Sequence, residues 1–352
     1  MVKMSIQIYW YESAKRSIAS QAILWNYPAT SRPSLQKVGE IMALANKTSR
    51  TTIPVLQNDY MATIVAPPSF ERKAVRGIEN LLNRVFEADC LEKMMDIPDK
   101  SIDMILCDLP YGMTQNAWDS YIPLDRLWAQ YLRVIKPNGV IALTSHGVFT
   151  AKLILSQEKF FKYKWVWEKS KPTNFLNAKK QPLRKHEDIC IFYQKQPMYN
   201  PQMTQGTAYD KGVRKNQLSG CYGDFEPVRV HSNGERYPTD IIYVKTAESE
   251  GEVLHPTQKP IELGRYLIRT YSQEGDIILD NTCGSGSFLV AAMLEGRNFI
   301  GIEKNEDVAL FKRGEIDYIE VAENRLREAW YSLSENKREH IYVSPLIEGF
   351  GE

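Results

Sequence analysis

The sequence predicts a doubly wound α/β protein with a mostly parallel central sheet. From residue 71 onward, short apolar runs typical of strands alternate with segments of helical periodicity, which favours parallel strands joined by crossover helices. In addition, a strand-like run at residues 276–280 leads into a glycine-rich turn and then an apolar helical segment, as in nucleotide-binding βα units. Sheets of this class bind ligands at the carboxyl ends of their strands.

The individual elements follow from the spacing of apolar residues. Period-two or continuous apolar runs predict seven strands, at residues 85–88, 102–107, 140–145, 164–167, 189–193, 277–279 and 299–302. A 3.6-residue period predicts helices at residues 124–135, 148–155, 261–271, 287–294 and 307–326.

The domain organisation follows from breaks in this regular pattern. Pro67 and Pro68 indicate a linker, so we expect a boundary near residue 70. Residues 1–70 form an N-terminal extension of unknown role with one predicted helix, at residues 35–46. The main α/β domain covers residues 71–335, and residues 336–352 form a C-terminal tail. Within the main domain, residues 196–252 have little periodicity and predict an inserted loop or small subdomain.

Composition and charge exclude several classes of protein. The 352 residues are 43% hydrophobic and 25% charged with a net charge of +1, which is typical of a globular protein. No run approaches the roughly 18 apolar residues of a spanning helix. The first residues do not resemble a signal peptide, so we expect a cytoplasmic protein without a membrane partner. The five cysteines contain no CxxC pair, which argues against a disulfide framework or a zinc site, and we expect no metal.

The glycine-rich turn at residues 280–286 predicts a cofactor site. Gly284 and Gly286 allow the backbone to approach a ligand closely, while Asp280 and Thr282 lie in the same turn. About twenty residues later, Glu303 follows a strand and is placed to accept hydrogen bonds from ribose hydroxyls. The turn lacks the lysine of a phosphate-binding loop and the third glycine of a dinucleotide-binding loop. An adenosine-containing cofactor is therefore favoured over an ordinary structural turn.

A second motif, Asp108-Leu109-Pro110-Tyr111, follows the predicted strand at residues 102–107. The carboxylate of Asp108 and the carbonyl of Pro110 could accept the two N–H bonds of an exocyclic amine and direct its lone pair at a methyl sulfonium. Tyr111 offers a flat face for an extruded base, a contact worth about 1–3 kcal/mol. Alone, the motif is equally compatible with an ordinary Asp-Pro turn. Its combination with the glycine turn favours a catalytic role over an ordinary turn.

The motif at residues 108–111 precedes the glycine turn at residues 280–286. In this order of motifs the sequence resembles the beta class of DNA amino-methyltransferases, whose Asp-Pro-Pro-Tyr-type motif precedes the cofactor motif. The resemblance covers roughly residues 84–328. Leu109 departs from the family pattern, as do the residues at 281–283. Further matching segments lie at residues 86–91, 186–189 and 255–260, and the segment at residues 175–186 resembles phage-type members.

The resemblance implies a seven-stranded Rossmann-like methyltransferase sheet, S-adenosylmethionine as cofactor and a flipped adenine in duplex DNA as substrate. It also implies that residues 196–252 are the target-recognition region, and it suggests a homodimer and a cognate restriction endonuclease as partners. Further cofactor contacts are implied for the residues Asp89, Cys90, Thr257, Gln258 and Lys259.

Basic residues suggest where DNA would bind. Residues 162–185 carry eight Lys and Arg against the single acid Glu168, and Trp165, Trp167 and Phe175 are interleaved with them. A solvated basic face would look the same. The candidates for phosphate contacts are Lys169, Lys171, Lys179, Lys180, Arg184 and Lys185, and the candidates for base contacts in the inserted region are Lys211, Arg214, Lys215, Arg229 and Arg236.

Several functions stay open at this point. The first is methylation of cytosine N4, because the same acceptors suit an exocyclic amine on either base. RNA is an alternative substrate, and a non-catalytic nucleic-acid-binding subunit with the same fold is a further alternative. Cytosine-C5 chemistry is disfavoured because no Pro-Cys pair is present.

Overall fold

The computed structural model describes residues 50–54, 61–65, 77–111, 122–213, 229–255, 257–305 and 316–351. The chain divides into two compact units, residues 1–74 and residues 75–352. In the first unit, the described strands Arg50–Pro54 (β1) and Met61–Val65 (β2) pair in antiparallel fashion. The helix predicted at residues 35–46 lies outside the described residues.

An eight-stranded sheet forms the centre of the second unit. In spatial order, its strands are Ile241–Val244 (β12), Phe161–Thr173 (β6), Arg184–Phe192 (β7), Ile135–Ser145 (β5), Ile102–Cys107 (β4), Ile277–Asp280 (β13), Asn298–Glu303 (β14) and Arg84–Glu87 (β3). Only β7 runs antiparallel to its neighbours β5 and β6, and every other pairing is parallel. The prediction of a mostly parallel α/β sheet is therefore confirmed.

The prediction of seven strands is wrong by one, because β12 lies inside the region predicted as an insertion. Ile242 and Val244 are buried in this strand, whereas Ile241 and Tyr243 are exposed, as expected at the edge of a sheet. Both β6 and β7 extend beyond their apolar centres as well. Polar residues at their outer ends continue the backbone pairing as far as Thr173 and Arg184.

The remainder of the 196–252 region forms two small antiparallel pairs. Thr204–Gln205 (β8) pairs with Glu235–Arg236 (β11), and Tyr209–Val213 (β9) pairs with Arg229–Ser232 (β10). These short strands lie away from the main ladder, which agrees with their weak periodicity.

Helices cover both faces of the sheet. Their bounds are Cys90–Lys93 (α1), Leu124–Val134 (α2), Val148–Ser156 (α3), Ile261–Tyr271 (α4), Ser287–Leu294 (α5), Tyr318–Ser332 (α6), Glu335–Arg338 (α7) and Pro345–Glu348 (α8). Alternate residues of β4 show the layering. Met104 and Leu106 pack in the core with α4, α5 and α6, whereas Ile105 and Cys107 pack in the core with α2 and α3. Such two-sided covering is the doubly wound arrangement.

One predicted helix begins and ends later than expected. The helix predicted at residues 307–326 is observed at Tyr318–Ser332, and residues 306–315 lie outside the described part of the chain. Asp317 sets the start, because its side chain accepts hydrogen bonds from the backbone amides of Ile319 and Glu320. Across the described helices, none is both long and apolar enough to cross a bilayer.

Candidate active site

The two sequence motifs lie at adjoining strand ends. β4 and β13 are parallel neighbours, with Met104 opposite Ile278, so the loops that follow them leave the same edge of the sheet. The Thr282 hydroxyl donates to the backbone carbonyl of Asp108 at 3.1 Å. Beneath it, the Cys107 thiol lies 2.8 Å from the side-chain oxygen of Asn281. Residues separated by more than 170 positions thus form one surface.

The Asp108 carboxylate is held by three side chains. Its Oδ1 accepts hydrogen bonds from the Tyr111 hydroxyl at 2.8 Å and from the Thr144 hydroxyl at the end of β5. Its Oδ2 accepts from Lys259 Nζ at 2.5 Å. The side chain is 20% exposed, so it is fixed in place and still reaches the surface. A carboxylate offers about four lone-pair positions, which leaves room for a further donor.

Lys259 belongs to a buried chain of alternating charges. Its ammonium lies between Asp108 and Glu187, with Glu187 Oε2 3.5 Å away, and Glu187 Oε1 accepts from Lys169 Nζ at 3.1 Å. Burial alone would lower the pKa of Lys259, but Asp108 and Glu187 raise it above its usual value. Burial would likewise raise the pKa of Glu187, yet Lys259 and Lys169 lower it. Both groups are therefore charged at neutral pH.

The other residues of the tetrapeptide have different environments. Leu109 is buried in the core, which explains why an aliphatic residue is tolerated there. Pro110 is half-buried. The Tyr111 ring stacks on Phe149 with centroids 5.0 Å apart, and Lys259 Nζ lies 5.8 Å from its centroid. Burial and the nearby Asp108 raise the pKa of Tyr111, so its hydroxyl keeps its proton and donates to the carboxylate.

The glycine turn is closed by the acid of the next strand. Glu303, at the end of β14, accepts a hydrogen bond from the Gly284 amide at 2.7 Å and another from the Asn305 amide at 3.3 Å. Asp280 is buried, and burial together with the charges of Asp108 and Glu303 raises its pKa to about 8. Asp280 is therefore largely protonated at neutral pH. The charges of Asp108 and Glu303 that help to raise its pKa suit a ligand with a positive charge and hydroxyl donors.

Gly286 illustrates why this turn requires glycine. Its φ is +76°, and a Cβ atom there would lie 2.9 Å from the Cβ of Ala322 in α6. Replacement by alanine adds backbone strain and a clash with a buried helix, so we expect Gly286→Ala to lower the free energy of unfolding by about 2–5 kcal/mol. Denaturant titration measures the change.

Gly212 provides the matched control for this substitution. Its φ is +65° and nothing lies within 4 Å of the position of its Cβ, so Gly212→Ala carries the strain alone. Its cost should be about 1–2 kcal/mol. Equal costs for the two substitutions would contradict the close contact between the turn and α6.

The segment at residues 257–259 borders both loops. The Gln258 side-chain oxygen accepts from the Leu254 amide at 3.0 Å and from the Ser285 hydroxyl at 3.2 Å, which ties the segment to the glycine turn. Thr257 is exposed, and its amide donates to His255 Nδ1 at 3.2 Å. Burial lowers the pKa of His255 to about 4, so that imidazole is neutral.

Asp89 and Cys90 mark the start of α1. Asp89 caps this helix by accepting from the Leu91 amide at 2.9 Å. Cys90 is buried, and burial raises its pKa to about 11, although its contact with Asn281 acts in the opposite direction. Cys90 therefore lies beside the glycine turn as a neutral thiol.

The candidate DNA contacts divide into several groups. Lys179 and Lys180 are exposed, and Arg184 is half-buried at the start of β7. Lys185 is exposed and pairs with Glu168 at 2.7 Å. Lys211 is exposed and its ammonium lies 4.7 Å from the centroid of the Tyr209 ring. Lys171 is exposed, Arg229 pairs with Asp210 and Arg236 is half-buried. Arg214 and Lys215 lie outside the described residues.

Lys169 does not belong to the exposed basic face on which the sequence placed it. It is only 4% exposed and is bound to Glu187. Period-two alternation along β6 could have shown this, because Trp165, Trp167 and Lys169 point to the same side. A lysine at an inward position needs a carboxylate partner.

Thr144 and Glu187 are site residues that the sequence did not reveal. Thr144 ends an apolar strand and carries no motif of its own. Glu187 lies in a segment recognised by resemblance, but only the fold brings it next to Lys259. The fold and the site together define an α/β protein that presents a fixed carboxylate beside a glycine-rich ligand-binding turn.

Comparisons with known proteins agree with this description. A family model described as DNA methylase of the N6/N4 type matches residues 102–310, a segment that includes both loops. The chain is 27% identical to Type II methyltransferase M2.MboI of Moraxella bovis over an alignment of 272 positions, and the match covers 69% of this chain and 87% of that protein. It is 26% identical to Type II methyltransferase M.HinfI of Haemophilus influenzae over an alignment of 291 positions, and the match covers 72% of this chain and 70% of that protein.

Two solved structures are also similar. The M1.HpyAVI–SAM complex has a TM-score of 0.46 and 22% identity, and the match covers 69% of this chain and 99% of that chain. The cytosine-N4-specific PvuII DNA methyltransferase has a TM-score of 0.47 and 12% identity, and the match covers 73% of this chain and 89% of that chain. Because the family model spans more than half of the sequence, this chain belongs to the N6/N4 family of DNA methylases.

Proposed function

We propose that this chain transfers a methyl group from S-adenosylmethionine to N6 of an adenine flipped out of duplex DNA. The observation that carries the proposal is the direct contact between the two loops, where the Thr282 hydroxyl bonds to the Asp108 carbonyl at 3.1 Å. A base amine held at Asp108 would therefore lie next to a ligand held by the glycine turn. The choice of adenine rests on the resemblance of Asp108–Tyr111 to the family's catalytic motif.

The residues around the glycine turn fit the proposed cofactor. The charges of Asp108 and Glu303, which contribute to the raised pKa of Asp280, favour a cation beside the turn, and the cofactor is a cation. Asp280 itself, with a pKa of about 8, is largely protonated at neutral pH and offers hydrogen-bonding groups rather than a full charge. Each oxygen of Glu303 accepts one backbone amide, so each has a second lone pair for a ribose hydroxyl. When bound, S-adenosylmethionine supplies an electrophilic methyl group on a positively charged sulfur. We propose Asp89, Cys90, Thr257, Gln258, Thr282, Gly284 and Gly286 as its other neighbours.

The chain's own groups would act mainly by orientation. Asp108 and the Pro110 carbonyl would accept the two N–H bonds of adenine N6, which favours a pyramidal nitrogen whose lone pair is available. The carboxylate would also stabilise the positive charge that develops on this nitrogen. Tyr111 and Thr144 keep the carboxylate in one rotamer by donating to Oδ1. We propose Tyr111 as a stacking surface for the base as well.

Lys259 has a role in this proposal that the sequence did not suggest. It is bound to the Asp108 carboxylate, so we propose that it positions this group and balances its charge. A direct contact of Lys259 with the cofactor stays a prediction. Lys179, Lys180, Arg184, Lys185, Lys211 and Arg214 stay proposed contacts to DNA, and the homodimer and the cognate endonuclease stay proposed partners.

The test is to identify the methylated nucleoside. Purified protein is incubated with tritiated S-adenosylmethionine and either plasmid DNA or RNA, and the nucleosides are separated after digestion. We expect label in N6-methyladenine from DNA alone. Label in N4-methylcytosine would overturn the choice of base, label in RNA would overturn the choice of nucleic acid, and absence of label would contradict the activity.

A further inference from the structure

The loop at residues 174–183, which joins β6 to β7, presents two apolar side chains to solvent. Phe175 is 75% exposed and Leu176 is 85% exposed. Exposure of adjacent large apolar residues is unfavourable in water. Contiguous exposed apolar residues of this kind often mark an interaction site.

This loop leaves the sheet at the edge where the candidate active site lies. β7 is antiparallel to both β5 and β6, so the end of β6 and the start of β7 share an edge with the end of β5. Thr144, which bonds Asp108, lies at that end of β5. Glu187, near the start of β7, lies 3.5 Å from Lys259. The loop therefore leaves the same edge of the sheet as Asp108, beyond Glu187 on the extended ends of β6 and β7.

Internal hydrogen bonds give the loop a defined shape. Asn174 adopts a left-handed conformation with φ of +68°, and its side-chain oxygen accepts from Asn177 Nδ2 at 2.7 Å. The Ala178 amide donates to the Phe175 carbonyl at 3.1 Å, which closes a short 3-10 turn over Phe175–Asn177. Phe175 and Leu176 thus lie on a hydrogen-bonded turn rather than on an irregular loop.

The charges around this turn identify the kind of partner. Lys171, Lys179 and Lys180 are exposed on either side of Phe175 and Leu176, and residues 169–186 contain no Asp or Glu. An apolar tip between lysines is complementary to a base stack between two phosphate backbones. An apolar protein or lipid surface would use the tip but would not explain the absence of acids.

We propose that Phe175 and Leu176 enter duplex DNA at the target base pair and occupy the space that the flipped adenine leaves. This inference rests on the proposed function. The apolar pair replaces the stacking that the adenine loses, while Lys179 and Lys180 bind the adjacent phosphates. Extrusion of a base costs a few kcal/mol, and a wedge reduces this cost only when a paired base must be opened.

The experiment compares two short duplexes that carry the methylation motif found by sequencing DNA from expressing cells. One has thymine opposite the target adenine, and the other has an abasic site there, which removes the pairing partner. We expect the double variant Phe175→Ala/Leu176→Ala to methylate the paired duplex about 10- to 100-fold more slowly than the wild type. On the duplex with the abasic site, its rate should return to within about threefold of the wild type.

Matched variants separate this role from others. Leu155 is 73% exposed on α3 and Tyr331 is 58% exposed on α6, so Leu155→Ala/Tyr331→Ala removes comparable apolar surface elsewhere and should leave both rates unchanged. Lys179→Ala/Lys180→Ala should slow methylation of both duplexes equally, because contacts to phosphates do not depend on whether the target base is paired. An unchanged rate for the Phe175/Leu176 variant on the paired duplex, or an equal loss on both duplexes, would overturn the wedge. If the wild type methylates neither duplex, the result would instead contradict the proposed function.

Discussion

Asp108→Asn is expected to slow methyl transfer by at least about 1,000-fold while the protein stays folded. The substitution keeps the shape of the side chain but removes its charge and replaces one acceptor oxygen by a donor. The donors Tyr111, Thr144 and Lys259 then compete for a single oxygen, and no carboxylate lone pair is left for the base amine. Initial rates of tritium transfer to plasmid DNA measure the loss.

Asp103→Asn is the matched control for this substitution. Asp103 lies near the opposite end of the same strand, where its carboxylate binds Lys136 Nζ at 2.7 and 2.8 Å. We expect this variant to transfer methyl groups at close to the wild-type rate. The Asp108→Asn variant should still bind S-adenosylmethionine in a calorimetric titration. A rate for Asp108→Asn within about tenfold of the wild type would contradict the assigned role of the carboxylate.

Lys259→Met should produce a large loss of stability. The substitution leaves Asp108 and Glu187 as buried or half-buried carboxylates without the cation between them. Removing one partner of a buried ion pair typically costs about 3–5 kcal/mol. We therefore expect the free energy of unfolding at pH 7 to fall by about this amount, as measured by denaturant titration.

The pH dependence of this loss follows from the pKa of Glu187. In the wild type, the lowered pKa means that Glu187 stabilises the fold above its unfolded value of 4.5, and this contribution is lost as the pH falls through the folded value. In Lys259→Met, Lys169 still opposes the effect of burial on Glu187 but Lys259 does not, so the pKa of Glu187 rises and its protonation removes a charge that Lys259 no longer balances. The difference in stability between the two proteins should therefore shrink below about pH 4.5.

Lys136→Met is the control for Lys259→Met, since it removes a cation from a more exposed pair. The side chains of Lys136 and Asp103 are 32% and 19% exposed, against 9% and 20% for Lys259 and Asp108. Its cost should be clearly smaller and nearer to about 1 kcal/mol. Equal costs for the two lysines, or a loss in Lys259→Met that does not shrink in acid, would contradict the buried charge chain.

The elements that the sequence predicted best are bounded by clear local signals. The predicted helix at residues 261–271 matches α4 at both ends, because Pro260 precedes it and a strongly amphipathic pattern fills it. The strand at residues 102–107 matches β4 at both ends, since its apolar run stops at Asp108. Both elements support the candidate site, so the place of Asp108 and of the glycine turn on one sheet edge followed from sequence.

Other features depend on contacts that are distant in the chain. β12 has only four residues, and it is recognisable as part of the sheet only when β6 lies beside it. The bond between Lys259 and Asp108 joins residues 151 positions apart, and the resemblance suggested the cofactor rather than the carboxylate as the partner of this lysine. Buried charges of this kind are specified by the tertiary arrangement and leave little periodic trace in a single sequence.

The most direct test of the account is hydrogen–deuterium exchange of the full chain with and without S-adenosylmethionine. Because the two motifs line one site, the ligand should slow hydrogen exchange at three segments together. These are the loop after β4 that contains Asp108, the turn at residues 280–286, and the segment at residues 257–259. Protection of the glycine turn without any change around Asp108, or protection confined to another part of the chain, would contradict the shared site.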